Sequence, residues 1–419
     1  EIKKNEVFSK KFNHIIKESI SSPYWLIEER EKGMYKTESS KIVGLPNTPP
    51  PLVLKLYLII EGKNIKVQKP LKYRKNDPVK GEVTNTFQIL PSACANLNTP
   101  VKLFSTSQTK KVIVQVRNLG KSFKGKLILK SPESWDIDPS QQEVMIHGKG
   151  IEKEFLFNVT APKNEEVVEL RPELINDKEK IQAAIQEISY DHIPKQYMVQ
   201  PSSTRAVALN IKTGVERVAY INGAGDNVAD SIEALGIIVE KFDSEDITVE
   251  KLKSFDAVIL GIRAFNVNES LSYKKNVLWK YAHQGGTLLI QYNTSRGLKT
   301  RTITPYSIEL SRDRITDENS KVKMLDSKHP LLNYPNKISL EDFEGWVQER
   351  GLYFPKKWDK NFSPLLEMSD PGEQPKRGAL LVGNYGEGKV IYTGLSFFRQ
   401  LPAGVPGAYR LFFNLIANK

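Results

Sequence analysis

At Glu216 the spacing of apolar residues changes, and that change constrains the fold more than any single motif does. Before it, apolar side chains alternate with others: Leu52, Leu54, Leu56, Leu58 and Ile60; Val112, Val114 and Val116; Phe155, Phe157 and Val159. A period of two turns one face of a strand inward and the other to water, as in antiparallel sheets. After it, the short runs 217–221, 237–239, 257–260 and 287–291 are apolar almost throughout and are separated by helical spacing. A strand apolar on both faces must be covered on both, so these runs predict a mostly parallel sheet between helices. The expected architecture is multidomain, with all-β sandwich modules followed by an α/β domain whose mostly parallel sheet is doubly wound.

Four segments follow from this pattern. Residues 1–20 space Phe8, Phe12, Ile15, Ile16 and Ile20 three to four apart, which predicts one amphipathic helix. Residues 21–100 read as a β-rich domain. There the run Pro46-Asn47-Thr48-Pro49-Pro50-Pro51 forbids helix, a half-buried strand covers 52–60, and Glu61-Gly62-Lys63-Asn64 turns the chain back. Residues 101–213 read as a β-sandwich module with a helical or extended linker; Ile181, Ala184, Ile185 and Ile188 suggest a short helix in it. Residues 214–419 form the α/β domain, with helices near 228–235, 270–283 and 409–416 and a hairpin across Tyr385-Gly386-Glu387-Gly388. No run approaches 18 consecutive apolar residues, so no transmembrane helix is expected.

The 61 Lys and Arg exceed the 49 Asp and Glu, giving +12 overall. The excess is regional: residues 1–212 carry 34 basic and 24 acidic groups, residues 213–419 carry 27 and 25. Between Lys102 and Lys130 eight basic residues meet no acid, but only Phe104 and Phe123 are interleaved aromatics. Lysines opposite an apolar alternation describe the wet face of a sandwich, so no nucleic-acid partner is expected. One cysteine, Cys94, excludes a disulfide framework and a four-cysteine zinc site, and reads as a small buried hydrophobe. The five histidines, His14, His147, His192, His283 and His329, lie more than ten residues apart, so no local metal site is expected.

Candidate chemistry gathers where open α/β sheets place their ligand crevices, beyond the carboxyl ends of the strands. Asn222 and Asp226 follow the first strand of the domain, Arg263 and Asn266 the third and Asn293 the fourth; Arg312 and Asp313 lie in the later run Ser311-Arg312-Asp313-Arg314. These seven are the candidate ligand cleft. The turn Asn222-Gly223-Ala224-Gly225-Asp226 has Val228 where a dinucleotide fingerprint needs a third small residue, so it reads as a tight βα turn. Tyr292-Asn293-Thr294-Ser295 is no nucleophile elbow, and no catalytic residue is assigned. Trp25, Trp135 and Trp346 are candidate glycan contacts, because aromatic faces stack on sugars; core packing is the alternative for each.

Loop signatures over nearly the whole chain resemble one family. Ser22-Pro23-Tyr24-Trp25-Leu26, Gly33-Met34-Tyr35, Gly44-Leu45-Pro46 and Asp77-Pro78-Val79-Lys80-Gly81-Glu82 resemble the region after the catalytic domain in large bacterial PIG-L (LmbE-like) family deacetylases. Residues 101–162 resemble the β-sandwich module accompanying carbohydrate-binding domains in secreted glycan-active proteins. Residues 216–419 resemble the class I glutamine amidotransferase-like domain that ends those deacetylases. They do so through Ser311-Arg312-Asp313-Arg314, His329-Pro330-Leu331-Leu332 and the run from Gly394 to Pro402.

The resemblance implies a zinc-dependent hydrolase acting on N-acetyl sugars through a His-Pro-Asp-Asp motif. His329-Pro330 is followed here by leucines, so neither catalytic residue nor metal ligand carries over. The chain is therefore expected to be an accessory region with no cofactor of its own, the zinc belonging to an upstream catalytic domain. Its expected partners are that deacetylase domain and a glycan or cell-envelope polymer, in an extracytoplasmic (periplasmic or secreted) setting. Two other readings stay open. The α/β domain is itself an enzyme or small-molecule sensor using Arg263, Asn293, Arg312 and Asp313, or the chain is a structural module that forms homo-oligomers.

Overall fold

The computed structural model describes residues 7–11, 13–17, 19–28, 33–37, 40–193 and 195–417. The chain is a multidomain, β-rich protein built from several sheets. The amphipathic helix expected over 1–20 is the first correction: none of the described residues there is helical, and Phe8, Ile15, Ile16 and Ile20 are exposed. Phe12 lies outside the described residues. Helices of this length draw most of their stability from packing an apolar face, and these four side chains pack against little.

The described residues of 21–51 are largely irregular beyond a 3-10 turn at Tyr24–Leu26, and they are anchored by the buried Tyr24, whose hydroxyl accepts from the Gly44 amide at 3.2 Å and whose amide donates to Thr48 Oγ1 at 3.0 Å. Two hairpins follow, β1 (Val53–Ile60) with β2 (Lys63–Pro70) and β3 (Lys72–Asp77) with β4 (Gly81–Thr86). Glu61 and Gly62 both take positive φ, 49° and 77°, which makes a tight two-residue turn whose twist suits a hairpin. Lys63 and Asn64, expected in the turn, already pair with Ile60 and Ile59. β1 was expected half-buried; instead every residue but Leu56 is exposed. A two-stranded sheet has no second layer to cover it.

The sandwich comprises β5 (Ala93–Leu97), β6 (Val101–Ser105), β7 (Thr109–Asn118), β8 (Ser122–Lys130), β9 (Asp136–Asp138), β10 (Gln142–His147), β11 (Glu152–Thr160), β12 (Glu166–Ile175), β13 (Lys180–Ile181) and β16 (Thr204–Leu209). One sheet has the order β5-β7-β11-β9. The other runs β10-β8-β12-β16-β6, with β13 beside β12. Val112, Val114 and Val116 point inward from β7 against Phe123, Leu127 and Leu129 of β8 and Phe157 of β11. Each such burial contributes about 1.5–3 kcal/mol. Lys111, Lys124, Lys126 and Lys130 are exposed, as the alternation requires. Cys94 is fully buried on β5.

The short helix expected over 181–188 is a second correction. Those residues form β13 and β14 (Ala183–Ile188), and β14 pairs with β15 (Gln196–Pro201). The β-branched isoleucines suit this extended backbone better than a helix, and Ile181 and Ile185 are buried in it.

The second half centres on a seven-stranded sheet of order β18-β17-β19-β20-β27-β26-β24. Its strands are β17 (Arg217–Ile221), β18 (Ile238–Phe242), β19 (Ala257–Leu260), β20 (Thr287–Ile290), β24 (Ser363–Pro364), β26 (Leu380–Tyr385) and β27 (Gly388–Thr393). Pairs among the first five are parallel and the last two antiparallel. Val218, Tyr220, Ile259, Leu289 and Ile391 pack with α1 (Val228–Glu233), α5 (Phe397–Gln400) and α6 (Pro406–Ile416). Their neighbours Ala219, Ile221, Val258, Leu288 and Val390 pack instead with α2 (Val249–Leu252), α3 (Ala264–Val267) and α4 (Leu271–His283). A bulged antiparallel pair, β21 (Ile308–Ile315) with β23 (Gly351–Trp358), and a smaller pair, β22 (Val322–Met324) with β25 (Leu366–Met368), complete the half.

The two halves share one core. Leu103, Val207 and Leu209 of the sandwich belong to the same apolar cluster as Tyr409 and Phe412 of α6. Across the same boundary Arg410 pairs with Glu165 at 2.7 Å, and Asn336 holds both backbone groups of Lys212.

Candidate ligand cleft at the sheet edge

The order in which strands are added reverses between β17 and β19, since β18 lies on one side of β17 and β19 on the other. That switch point is where an open α/β sheet leaves a crevice. Asp226 occupies it. Its Oδ1 accepts from the Tyr220 hydroxyl at 2.6 Å and the Val228 amide at 3.0 Å, and its Oδ2 accepts from the Ile262 amide at 3.1 Å. One carboxylate thus ties the turn after β17 to the turn after β19. The two turns touch directly at Gly223, where a Cβ would meet the Ile262 carbonyl oxygen at 2.2 Å. This contact accounts for the glycine without any phosphate. Burial pushes the Tyr220 hydroxyl well above the usual tyrosine range, reinforced by the Asp226 charge, so it stays protonated and donates.

The other expected cleft residues divide in two. Asn293 is fully buried: its Oδ1 accepts from the Phe265 amide at 2.9 Å and its Nδ2 donates to the Gln291 carbonyl at 3.0 Å. Asn266 is 7% exposed, and it accepts from the Thr294 amide and donates to the Thr294 and Arg296 carbonyls. Both amides brace loops. Asn222 is exposed and donates to Asp243 at 3.2 Å. Arg263 is exposed, with φ at +56° and its amide donating to the Tyr292 carbonyl at 2.8 Å. Arg312 is exposed and Asp313 half-buried on β21, which reaches the same edge through β23. The expectation of seven groups converging on one open cleft is corrected accordingly, because Asp226, Asn266 and Asn293 are committed to the backbone around them.

A different group meets at this edge. Tyr292 stacks on Tyr353 with ring centroids 6.2 Å apart and planes 8° apart, and touches Phe398 at 5.3 Å. Ile262 and Leu352 complete this small apolar cluster, separate from the main core. The Arg314 guanidinium lies 5.6 Å above the Tyr353 ring and that of Arg399 4.8 Å from Phe398. Arg399 Nε also donates to Glu349 at 2.8 Å. Burial raises the Tyr292 hydroxyl, while Arg263 and Arg399 pull it down. Among the described residues five non-glycines have positive φ, and three of them, Arg263, Gln348 and Tyr353, sit in or beside this cluster. Left-handed backbone at such residues costs about 1–3 kcal/mol. The arrangement offers aromatic faces and guanidinium groups, a binding rather than an acid–base chemistry. Two signals in the sequence point to it: Tyr292 lies two residues past the end of β20, and Phe398-Arg399 begins five residues past the end of β27.

The tryptophans need a further correction. Trp135 is 4% exposed, edge-on to Phe104, with Nε1 donating to Glu166 at 3.1 Å. Trp346 is 3% exposed, with Nε1 donating to the Asp342 carbonyl at 2.9 Å. Both are core and present no face to a glycan. Trp25 is half-buried beside Tyr24. His329 Nδ1 accepts from the Leu331 amide at 3.2 Å and so caps a 3-10 turn, which does not fit a zinc ligand. Among the described residues no cluster of three or more His, Cys, Asp or Glu is placed to hold a metal. No helix there is long and apolar enough to cross a membrane.

No family model and no curated protein matches the chain. Among solved structures it is similar over 48% of its length to a β-galactosidase from Rahnella sp. R3, at 16% identity, TM-score 0.29 and 31% of that chain. It is similar over 49% to an exo-β-1,4-mannosidase from Opitutaceae bacterium strain TAV5, at 12% identity, TM-score 0.30 and 36% of that chain. A non-cellulosomal cohesin from Archaeoglobus fulgidus matches over 28%, at 11% identity, TM-score 0.17 and 91% of that chain. The chain spans about a third of the length of the two glycosidases. Likenesses of this strength carry no argument about function.

Proposed function

We propose that the chain is the accessory region of a zinc-dependent N-acetyl-sugar deacetylase of the PIG-L (LmbE-like) kind, one that positions the enzyme on glycans outside the cytoplasm. Residues 214–419 are, in this reading, a doubly wound, glutamine amidotransferase-like domain retained as a scaffold. The observation that supports it is the fate of the sheet-edge polar groups. Asp226, Asn266 and Asn293 spend their bonds on neighbouring backbone and on the Tyr220 hydroxyl, which makes a brace rather than a reaction centre. The zinc and its ligands belong to an upstream catalytic domain, and no step of that chemistry runs through this chain. Calorimetric titration with acetylated and deacetylated chito-oligosaccharides tests the binding half. Comparing the deacetylase with and without this region tests the positioning half: removal should depress turnover of polymeric substrate and spare a soluble N-acetyl sugar. Equal loss on both, or deacetylase activity from this chain alone, overturns the reading.

A second reading rests on the Tyr292, Tyr353 and Phe398 cluster with its flanking arginines, which suits a small planar or anionic ligand. Arg263→Ala should then weaken such a ligand without changing glycan binding.

A further inference from the structure

A groove of about 610 Å3 lies between the second hairpin and the edge of the sandwich, away from the sheet edge described above. Tyr73, Phe87 and Tyr197 supply aromatic surface, and Tyr73 is 57% exposed. Four cations, Lys75, Arg117, Lys149 and Lys195, line it with no carboxylate among the described lining residues. Two of them are spent just behind the wall: Lys195 pairs with Glu187 at 2.5 Å, and Arg117 lies 3.8 Å from Glu187 and 3.6 Å from Glu152. Glu179 reaches the rim through a hydrogen bond with Ser92. Lys75 and Lys149 are exposed and form no ion pair among the described residues, though Lys75 also acts on Asp77, so the lining itself is positive.

Two buried polar atoms of residues in this wall lack a hydrogen-bond partner: Gln88 Oε1, an acceptor, and Arg117 Nε, a donor whose ion-pair partner Glu152 lies 3.6 Å away. A buried unmet group costs about 1–3 kcal/mol. A sugar hydroxyl both donates and accepts, so a polyhydroxylated ligand can satisfy both atoms once the Gln88 amide and the Arg117 guanidinium turn outward from their buried positions. A nucleic-acid phosphate accepts only, and two uncompensated lysines are few for tracking a phosphate backbone. The ring faces suit the apolar face of a pyranose.

We propose that this groove binds an acidic oligosaccharide, with Tyr73 and Tyr197 as platforms, Lys75 and Lys149 meeting its carboxylates, and the Gln88 amide and Arg117 guanidinium turning outward to its hydroxyls. The inference rests on the glycan-positioning reading and names its site and ligand class. Titration of the whole chain with tetragalacturonate, chitotetraose and a short oligothymidylate tests it. Tetragalacturonate should bind, and the double variant Lys75→Gln/Lys149→Gln should bind it about tenfold more weakly with an unchanged thermal transition. Tyr197→Ala should weaken it similarly. Unaltered affinity in the double variant, no heat with tetragalacturonate, or tighter binding of the oligothymidylate overturns the proposal. Chitotetraose binding that ignores all these substitutions, with tetragalacturonate silent, also removes the groove while leaving the glycan-positioning reading standing.

Discussion

The sheet edge and the groove handle polar groups in opposite ways. At the edge, Asp226 accepts three hydrogen bonds and Asn293 and Asn266 are bonded at both ends of their amides. In the groove, Gln88 Oε1 has no hydrogen-bond partner, Arg117 Nε has only Glu152 at 3.6 Å, and Lys75 and Lys149 form no ion pair among the described residues. A fold that satisfies its polar atoms internally gains rigidity there, whereas one that leaves them unmet carries a cost that a ligand can remove. The position most expected to bind, by analogy with open α/β sheets, is thus the braced one.

The strongest way to break this comparison is Asp226→Ala. If the carboxylate is a brace, urea unfolding should show a loss of about 3 kcal/mol, since three donors lose their acceptor; a loss below about 1 kcal/mol would make the edge as unspent as the groove. Cys94 reports on the groove's floor, because it pairs with Arg117 across β5 and β7. Burial pushes its thiol up from 9.0 to about 11. The folded form therefore holds its proton more tightly than the unfolded one, so stability is fully present below pH 9 and falls as pH rises towards 11. Maleimide labelling at pH 8 should wait for unfolding, and rapid labelling of the native chain would mean that this floor opens. Arg263→Gly should gain about 0.5–1 kcal/mol by relieving left-handed backbone at φ +56°; a loss would mean that the guanidinium contributes more to the edge than its backbone costs. The smallest effect expected is on the stability of Lys75→Gln/Lys149→Gln, within about 0.5 kcal/mol of the parent.

What the sequence disclosed follows from whether a signal is local. β17, β19 and β20 were legible because both faces are buried, so each strand reads as an unbroken apolar run. The sandwich was legible from the alternation on β7 and β11, though its edge strand β5 was grouped with the preceding segment. β21 was missed because bulges carry Ser311, Arg312 and Asp313 through the pairing, which hides the period of two. The spacing in 1–20 misled because periodicity marks a helix only where something covers its face. Of the site, the loops after the strands were readable, but not the fact that their amides turn inward. The groove was invisible for a simpler reason: Lys75, Gln88, Arg117, Lys149 and Lys195 come from segments 13 to 46 residues apart and meet only after the second hairpin and the sandwich are in place.

The core shared by the sandwich and α6 has a thermal consequence. With Leu103, Val207 and Leu209 packed into the cluster that holds Tyr409 and Phe412, and Arg410 clamped to Glu165, neither half can shed its interior without exposing the other's. Calorimetry should accordingly record one endotherm for residues 93–417, with equal calorimetric and van't Hoff enthalpies. The hairpins β1–β4, which contribute few residues to any interior, should loosen first and exchange their amides at lower temperature.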